Sequence, residues 1–177
     1  FTDDVSQNFR DLLDVMNFSN DQFIRTTETR HYKSCQKIWE RLMDKGFITL
    51  DKYEGWYSVR DEAFFTETEL VDGKAPTGAP VSWVEEPSYF FNLSEWQQPL
   101  LDHYEANPDF IAPESKRKEV ISFVSGGLKD LSVSRTTFNW GVPVPGHPEH
   151  IMYVWLDALT NYITALDWQE QGTEFDR

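Results

Sequence analysis

The chain has 177 residues, 40% of them hydrophobic, and a formal net charge of −14 from 30 acidic against 16 basic side chains. That suffices for one good core or two small ones; no apolar run approaches the roughly 20 residues of a membrane helix, and the polar opening after Phe1 is not a signal sequence. The acidic balance argues against nucleic-acid binding by this segment, because phosphate contacts need Lys and Arg, and the single cysteine, Cys35, excludes an internal disulfide and points to a cytoplasmic setting.

Val5, Phe9, Leu12, Leu13 and Met16 recur at helical spacing behind Thr2 or Asp3 as N-cap, so the chain opens on an amphipathic helix that Asn17 to Gln22 breaks. After an extended run from Phe23 to Thr26, a second helix carries Cys35, Ile38, Trp39 and Leu42 on one face and stops at Gly46. From Phe47 to Leu93 the pattern predicts four short strands, Ile48 to Leu50, Tyr53 to Val59, Pro80 to Val84 and Tyr89 to Leu93. Asp51-Lys52, Asp72-Gly73, Gly78 and Glu86-Pro87 signal turns between them, and Tyr53, Trp56, Phe64, Phe65, Trp83, Phe90 and Phe91 offer large areas to bury.

Ser94-Glu95-Trp96-Gln97 matches a capping box and predicts a helix burying Trp96, Leu100, Leu101 and Tyr104 up to Asn107-Pro108. Another helix follows Pro113, with Val120, Ile121 and Val124 inward, and ends at Gly126-Gly127. Its Lys116-Arg117-Lys118 is the one basic cluster, read as a solvated helix face in preference to a nucleic-acid contact. His147 and His150 flank Pro148-Glu149 in a predicted loop and read as solvated rather than metal-bound. Finally, Tyr153-Val154-Trp155-Leu156-Asp157-Ala158-Leu159 reads as a buried strand turning straight into a helix. In an open parallel α/β sheet that places Trp155, Asp157 and Ala158 at the strand ends where ligands sit.

Twenty residues before Trp155 stand Ser134-Arg135, followed by Trp140-Gly141-Val142-Pro143-Val144-Pro145. Together with the Tyr153 segment, these resemble the methionyl-tRNA synthetases. Phe23-Ile24-Arg25-Thr26-Thr27-Glu28, Arg30-His31, Tyr53-Glu54-Gly55-Trp56-Tyr57, Tyr89-Phe90-Phe91, Asn107-Pro108-Asp109-Phe110-Ile111 and Asp130-Leu131-Ser132-Val133 follow that family's pattern in the same order. The resemblance implies an α/β fold: part of a Rossmann-type nucleotide-binding fold of a class I synthetase, interrupted by a small α+β connective-peptide insertion. Residues 1–30 would end the first Rossmann half and its connecting helix, 31–131 would form the insertion, and 132–177 would begin the second half. The family's HIGH motif would precede Phe1 and its KMSKS loop would follow Arg177, so the stretch reads as the middle of a synthetase that is inactive by itself.

The resemblance implies that the whole enzyme activates methionine with ATP, with Mg2+, to methionyl-adenylate and passes it to tRNA(Met), which it would meet mostly through other regions. Arg135 would be the catalytic cation on the triphosphate, since a planar guanidinium can bond two phosphate oxygens; the structural alternative is a strand-end Arg paired with a carboxylate such as Asp130. Trp155, Ala158 and Tyr162 would line the methionine pocket, where an aromatic face meets a thioether, and the bland alternative for all three is core packing. Gly141 would let the backbone approach the nucleotide, while Asp157 most simply caps the helix near Ala158. Many members carry a zinc knuckle between Tyr57 and Val81, but the matching places hold Ser58, Asp61, Ala75 and Gly78, so no structural zinc is expected. An apolar pocket separates substrates differing by a methylene by only roughly 1–3 kcal/mol, so homocysteine would be activated to some extent. The residues alone leave open two alternatives: a non-catalytic, acidic, aromatic-rich interaction module, and another class I synthetase.

Overall fold

The computed structural model describes residues 1–61 and 63–168; positions 169–177 of the predicted closing segment lie outside the described residues, as does the Tyr53 side chain. The first apolar repeat forms helix α1, Thr2–Val15. Its N-cap is Phe1 with no side-chain cap, so neither Thr2 nor Asp3 plays the expected part. Asp3 instead lies in the first turn, where the helix dipole favours a carboxylate, and accepts from the Arg25 guanidinium at 2.7 Å. No α1 residue is buried, and Phe9, Leu12 and Met16 remain exposed on its apolar face.

Helix α2, Thr29–Asp44, turns His31, Ser34, Cys35 and Trp39 inward, the spacing of one helical face. It ends as the sequence predicts. Gly46 adopts φ 72°, a left-handed conformation that suits glycine, and lets the Phe47 amide donate to the Leu42 carbonyl at 2.9 Å.

The four predicted short strands are two long ones. Strands β1 (Ile48–Ser58) and β3 (Ser82–Phe91) pair antiparallel from Ile48↔Phe91 to Tyr57↔Ser82, with the three-residue β2 (Ala63–Phe65) on the far side of β1. The supposed turns lie opposite one another within this ladder, Asp51↔Ser88 and Lys52↔Pro87. Cross-strand pairing outweighs the local signal, helped by the Lys52–Glu85 ion pair at 2.5 Å. Pro87 is accommodated because β4 (Leu131–Ser132) covers β3 only at Phe90 and Phe91, leaving the rest of that side an edge. Trp83 stays exposed and meets Trp56 edge-on at 5.5 Å.

The capping box lies elsewhere than predicted. Thr66 and Glu69 cap a short 3-10 turn at Glu67–Glu69, whereas Ser94, inside a 3-10 turn at Leu93–Trp96, donates its hydroxyl at 2.6 Å and its amide at 3.0 Å to the Asp130 carboxylate. Helices α3 (Gln97–Ala106) and α4 (Glu114–Ser125) follow, burying Tyr104 and Val124. On α4, Lys116 pairs with Glu119 and Lys118 with Glu114, all exposed, but Arg117 is half-buried and donates to the Tyr104 carbonyl of α3 at 3.0 Å, so the basic cluster is not a solvated face throughout.

A second sheet, order β5-β7-β6, joins β5 (Ser134–Arg135), β6 (Pro143–Val144) and β7 (His147–Met152). All strand pairs in both sheets are antiparallel, so no parallel ladder occurs among the described residues. Strand β7 stops at Met152, and helix α5 (Val154–Thr164) begins two residues later. Trp155 and Asp157 are therefore helical residues, and Asp157 lies in the first turn instead of capping a helix near Ala158; the N-cap is Tyr153. Cys35 and Trp39 of α2 pack with Ile48, Tyr89, Val133, Val142, Val144 and Met152 into the core. Trp39 meets Tyr89 edge-on at 5.2 Å. That core fixes α2, both sheets and the start of α5 against one another.

Candidate functional site

Pairing of Ser134 with Met152 and of Arg135 with Ile151 brings the Arg135 side chain beside the start of α5. Its guanidinium stacks 4.1 Å from the Tyr153 ring centroid, a cation–π contact. Nη1 donates to the Ser132 hydroxyl and, at 2.8 Å, to the Ser134 carbonyl, while Nε lies 3.7 Å from Oε1 of Glu86 on β3. The carboxylate beside Arg135 is thus Glu86, and Asp130 is engaged with Ser94. Arg135 and Glu86 are only 9% and 5% exposed. With Tyr57, Phe64 and Phe138 they wall a cavity of about 540 Å³ between the two sheets. A buried guanidinium bordering such a cavity is equipped to take an anionic oxygen.

Around this pair runs a seam of buried polar groups. The Ser88 and Ser132 hydroxyls meet at 2.6 Å, the Tyr89 amide donates to the Ser134 hydroxyl at 2.9 Å, and Nδ1 of His150 lies 3.0 Å from that same hydroxyl. His150 is therefore a buried strand residue and not a solvated loop histidine, because it occupies an inward position of β7. Burial holds its pKa below the usual histidine value. His147, by contrast, is exposed beside Glu149.

A second polar cluster joins α2 to α5. Nε2 of the fully buried His31 lies 2.7 Å from Oδ1 of Asp157 and 3.2 Å from Sγ of Cys35, and Nδ1 lies 3.1 Å from the Thr164 hydroxyl. A carboxylate can only accept, so Nε2 carries the proton and donates. His31, Cys35 and Asp157 are the one group of three metal-competent side chains among the described residues. Their geometry is that of a hydrogen bond: donors around tetrahedral zinc stand roughly 3.3–3.6 Å apart, and 2.7 Å is shorter. Nor is Cys35 a nucleophile. Thiol and carboxylate face the same ring nitrogen, so the imidazole cannot relay between them, and burial, then the Asp157 charge, pushes the thiol up to about 12.

Sequence reasoning passed over His31, Cys35 and Glu86 as site residues. A usable signal existed for the first: His31 and Cys35 are spaced i, i+4 on the apolar face of α2, and a histidine on such a face needs a buried partner.

Trp155, Ala158 and Tyr162 share one side of α5, since positions i, i+3 and i+7 do so in any α-helix. Trp155 is 54% and Tyr162 70% exposed, and Leu159 extends the same open apolar stripe. Ala158, between Trp155 and Tyr162, is half-buried. The opposite side carries Asp157, Thr160 and Thr164 toward α2. The stripe and the Arg135 cavity adjoin through Tyr153, yet Trp155, Ala158 and Tyr162 are not in the cavity wall.

Gly141 has φ 126°, and a Cβ there would sit 2.8 Å from Cγ2 of Ile151. Its own fold demands glycine at this point. In the hairpin, the Asp61 carboxylate accepts from the Ser58 hydroxyl at 2.9 Å and the Thr77 hydroxyl at 2.7 Å. These bonds, Thr77 first, hold Asp61 below the ordinary carboxylate pKa. Ala75 and Gly78 bring no donor side chain, so the four places do not suit zinc.

Comparison with known proteins gives this arrangement its context. The profile of the family described as tRNA synthetases class I (M) matches residues 1–81 and 77–176. The methionine–tRNA ligase of Rickettsia typhi is 62% identical over 178 aligned positions, covering 100% of this chain and 35% of that protein. That of Mycobacterium tuberculosis is 56% identical, covering 96% of this chain and 34% of its own length. The structure described as Mycobacterium tuberculosis methionyl-tRNA synthetase in complex with methionyl-adenylate superposes with a TM-score of 0.81 at 56% identity, over 94% of this chain and 34% of that one. The fold is a mixed α/β segment, with antiparallel sheets, of a class I catalytic region. The chain belongs to the tRNA synthetases class I (M) family, and it spans about a third of the length of these relatives.

Proposed function

We propose that the chain is the central part of a methionine–tRNA ligase. In the whole enzyme a methionine carboxylate oxygen attacks the α-phosphorus of ATP, accompanied by Mg2+; the bond to the bridging oxygen breaks and pyrophosphate leaves. A hydroxyl of the terminal ribose of tRNA(Met) then attacks the acyl carbon and displaces AMP. The observation that carries this reading is the likeness to a synthetase solved with methionyl-adenylate, at 56% identity over 94% of the chain. In the same reading residues 132–177 open the second Rossmann half, residues 1–30 close the first, residues 31–131 are the insertion, and the enzyme works in the cytoplasm.

The geometry supports this reading in several places. Trp155, Ala158 and Tyr162 offer methionine a continuous apolar face that stands open in this chain, with the flat indole suited to a thioether. Arg135 supplies positive charge for the spreading negative charge of the phosphoryl transfer, and the triphosphate competes with Glu86 for the guanidinium. Gly141 allows backbone near the nucleotide, besides its role against Ile151. The 58–79 hairpin is held by the Asp61 hydrogen bonds without zinc, and the Lys116-Arg117-Lys118 face adds little to tRNA binding, which other regions provide.

In the full-length enzyme, Arg135→Ala lowers kcat of methionine-dependent ATP–pyrophosphate exchange roughly a hundredfold and leaves the methionine KM within about threefold. Equal exchange rates in variant and parent would remove Arg135 from the site.

A further inference from the structure

The bond between His31 and Asp157 ties a residue of α2 to one 126 positions later, in the first turn of α5. Neither side chain has a part in the chemistry described above. Their placement gives them one. Asp157 stands between Trp155 and Ala158 in sequence but on the opposite side of the helix, facing α2. The same imidazole touches α5 a second time, through Nδ1 and the hydroxyl of Thr164, seven residues or about two helical turns further on. A single fully buried ring therefore holds α5 at two levels, and two directional bonds resist both sliding along the helix axis and rotation about it.

We infer that His31 and Asp157 are positioning residues for amino-acid binding: their buried bond sets the rotation of α5 and so aims Trp155 and Ala158 at methionine. This rests on the methionine pocket proposed above. The lever is short and stiff. Side-chain tips stand roughly 5–6 Å from a helix axis, so turning α5 by about 10° moves the Trp155 ring by about 1 Å, a displacement that can cost a site up to roughly a hundredfold. Apolar packing alone tolerates such a turn, because it has no directional preference. Loss of the imidazole would also leave the Asp157 carboxylate without this partner, which penalises the present orientation of α5 over its neighbours; the Thr164 hydroxyl keeps its bond to the Thr160 carbonyl.

The test uses the full-length enzyme and separates the KM values for methionine and ATP in pyrophosphate exchange. His31→Leu is expected to raise the methionine KM about tenfold, with the ATP KM within about twofold. His31→Gln, whose amide N–H can stand near the place of Nε2, brings the methionine KM back to within about threefold of the parent. Should His31→Leu fail to fold, Asp157→Ala against Asp157→Asn makes the same comparison from the acceptor side, with Asn the milder change. A Trp155→Ala enzyme run in parallel separates the two readings. An impaired Trp155→Ala enzyme beside a His31→Leu enzyme with the parent methionine KM overturns this inference alone, as does a rise of both KM values together with no recovery in His31→Gln. A Trp155→Ala enzyme with an unchanged methionine KM overturns the pocket and this inference with it.

Discussion

The polar seam between the two sheets and the outer stripe of α5 are built in opposite ways. In the seam, Glu86, Ser88, Ser132, Ser134, Arg135 and His150 come from four strands and are buried; the serines, Arg135 and His150 hydrogen-bond to one another, and Glu86 stands 3.7 Å from the Arg135 guanidinium. On the stripe, Trp155, Leu159 and Tyr162 are large side chains left open. The difference teaches that a buried guanidinium needs a cradle of polar groups supplied by this chain, whereas an open apolar stripe carries no such requirement within it; in the proposed reading the two serve one reaction.

The comparison breaks most sharply at Glu86. Glu86→Ala leaves Arg135 buried without its adjacent carboxylate, and removal of one partner of a buried pair destabilises by about 3–5 kcal/mol. Urea denaturation of the full-length enzyme would show it, and a loss under 1 kcal/mol would mean that the seam does not rely on this charge.

His150 offers a gentler probe. Its folded pKa is lowered, chiefly by burial, so the folded state binds the proton less well than the unfolded state. The stabilisation is present above the unfolded value near 6.5 and is lost as pH falls through the lower folded value, by at most about 1.4 kcal/mol per pH unit. Melting temperature measured from pH 7.5 down to 5.5 should therefore fall more steeply for the parent than for His150→Gln. Parallel curves would place the imidazole in contact with solvent.

The smallest expected effect is none at all. Since Ser58, Asp61 and Thr77 close the hairpin by hydrogen bonds, treatment with a chelator should leave the melting temperature within about 1 °C and release no zinc. One equivalent of zinc recovered by metal analysis would contradict this.

Much of this was legible in the residues, where the cause is local. The stop of α2 at Gly46 follows from a left-handed cap, and the helix after Pro113 from its apolar spacing. The two long strands were hidden because Asp51-Lys52 and Glu86-Pro87 carry turn chemistry that only their mutual pairing overrides. The same holds for partners. Only the family resemblance singles out Arg135; its neighbour Glu86 lies 49 positions back along the chain, and His31 lies 126 positions before Asp157, so no local spacing encodes either contact. Trp155 was placed at a strand end because a run of apolar residues does not distinguish a strand from the first turn of a helix.

The most direct test is a crystal structure of the full-length enzyme with methionine and a non-hydrolysable ATP analogue. The thioether should lie about 5 Å from the Trp155 ring, within reach of Tyr162, with the Arg135 guanidinium turned to the triphosphate. Methionine bound away from the outer stripe of α5, with Arg135 still held at Glu86, would contradict the account.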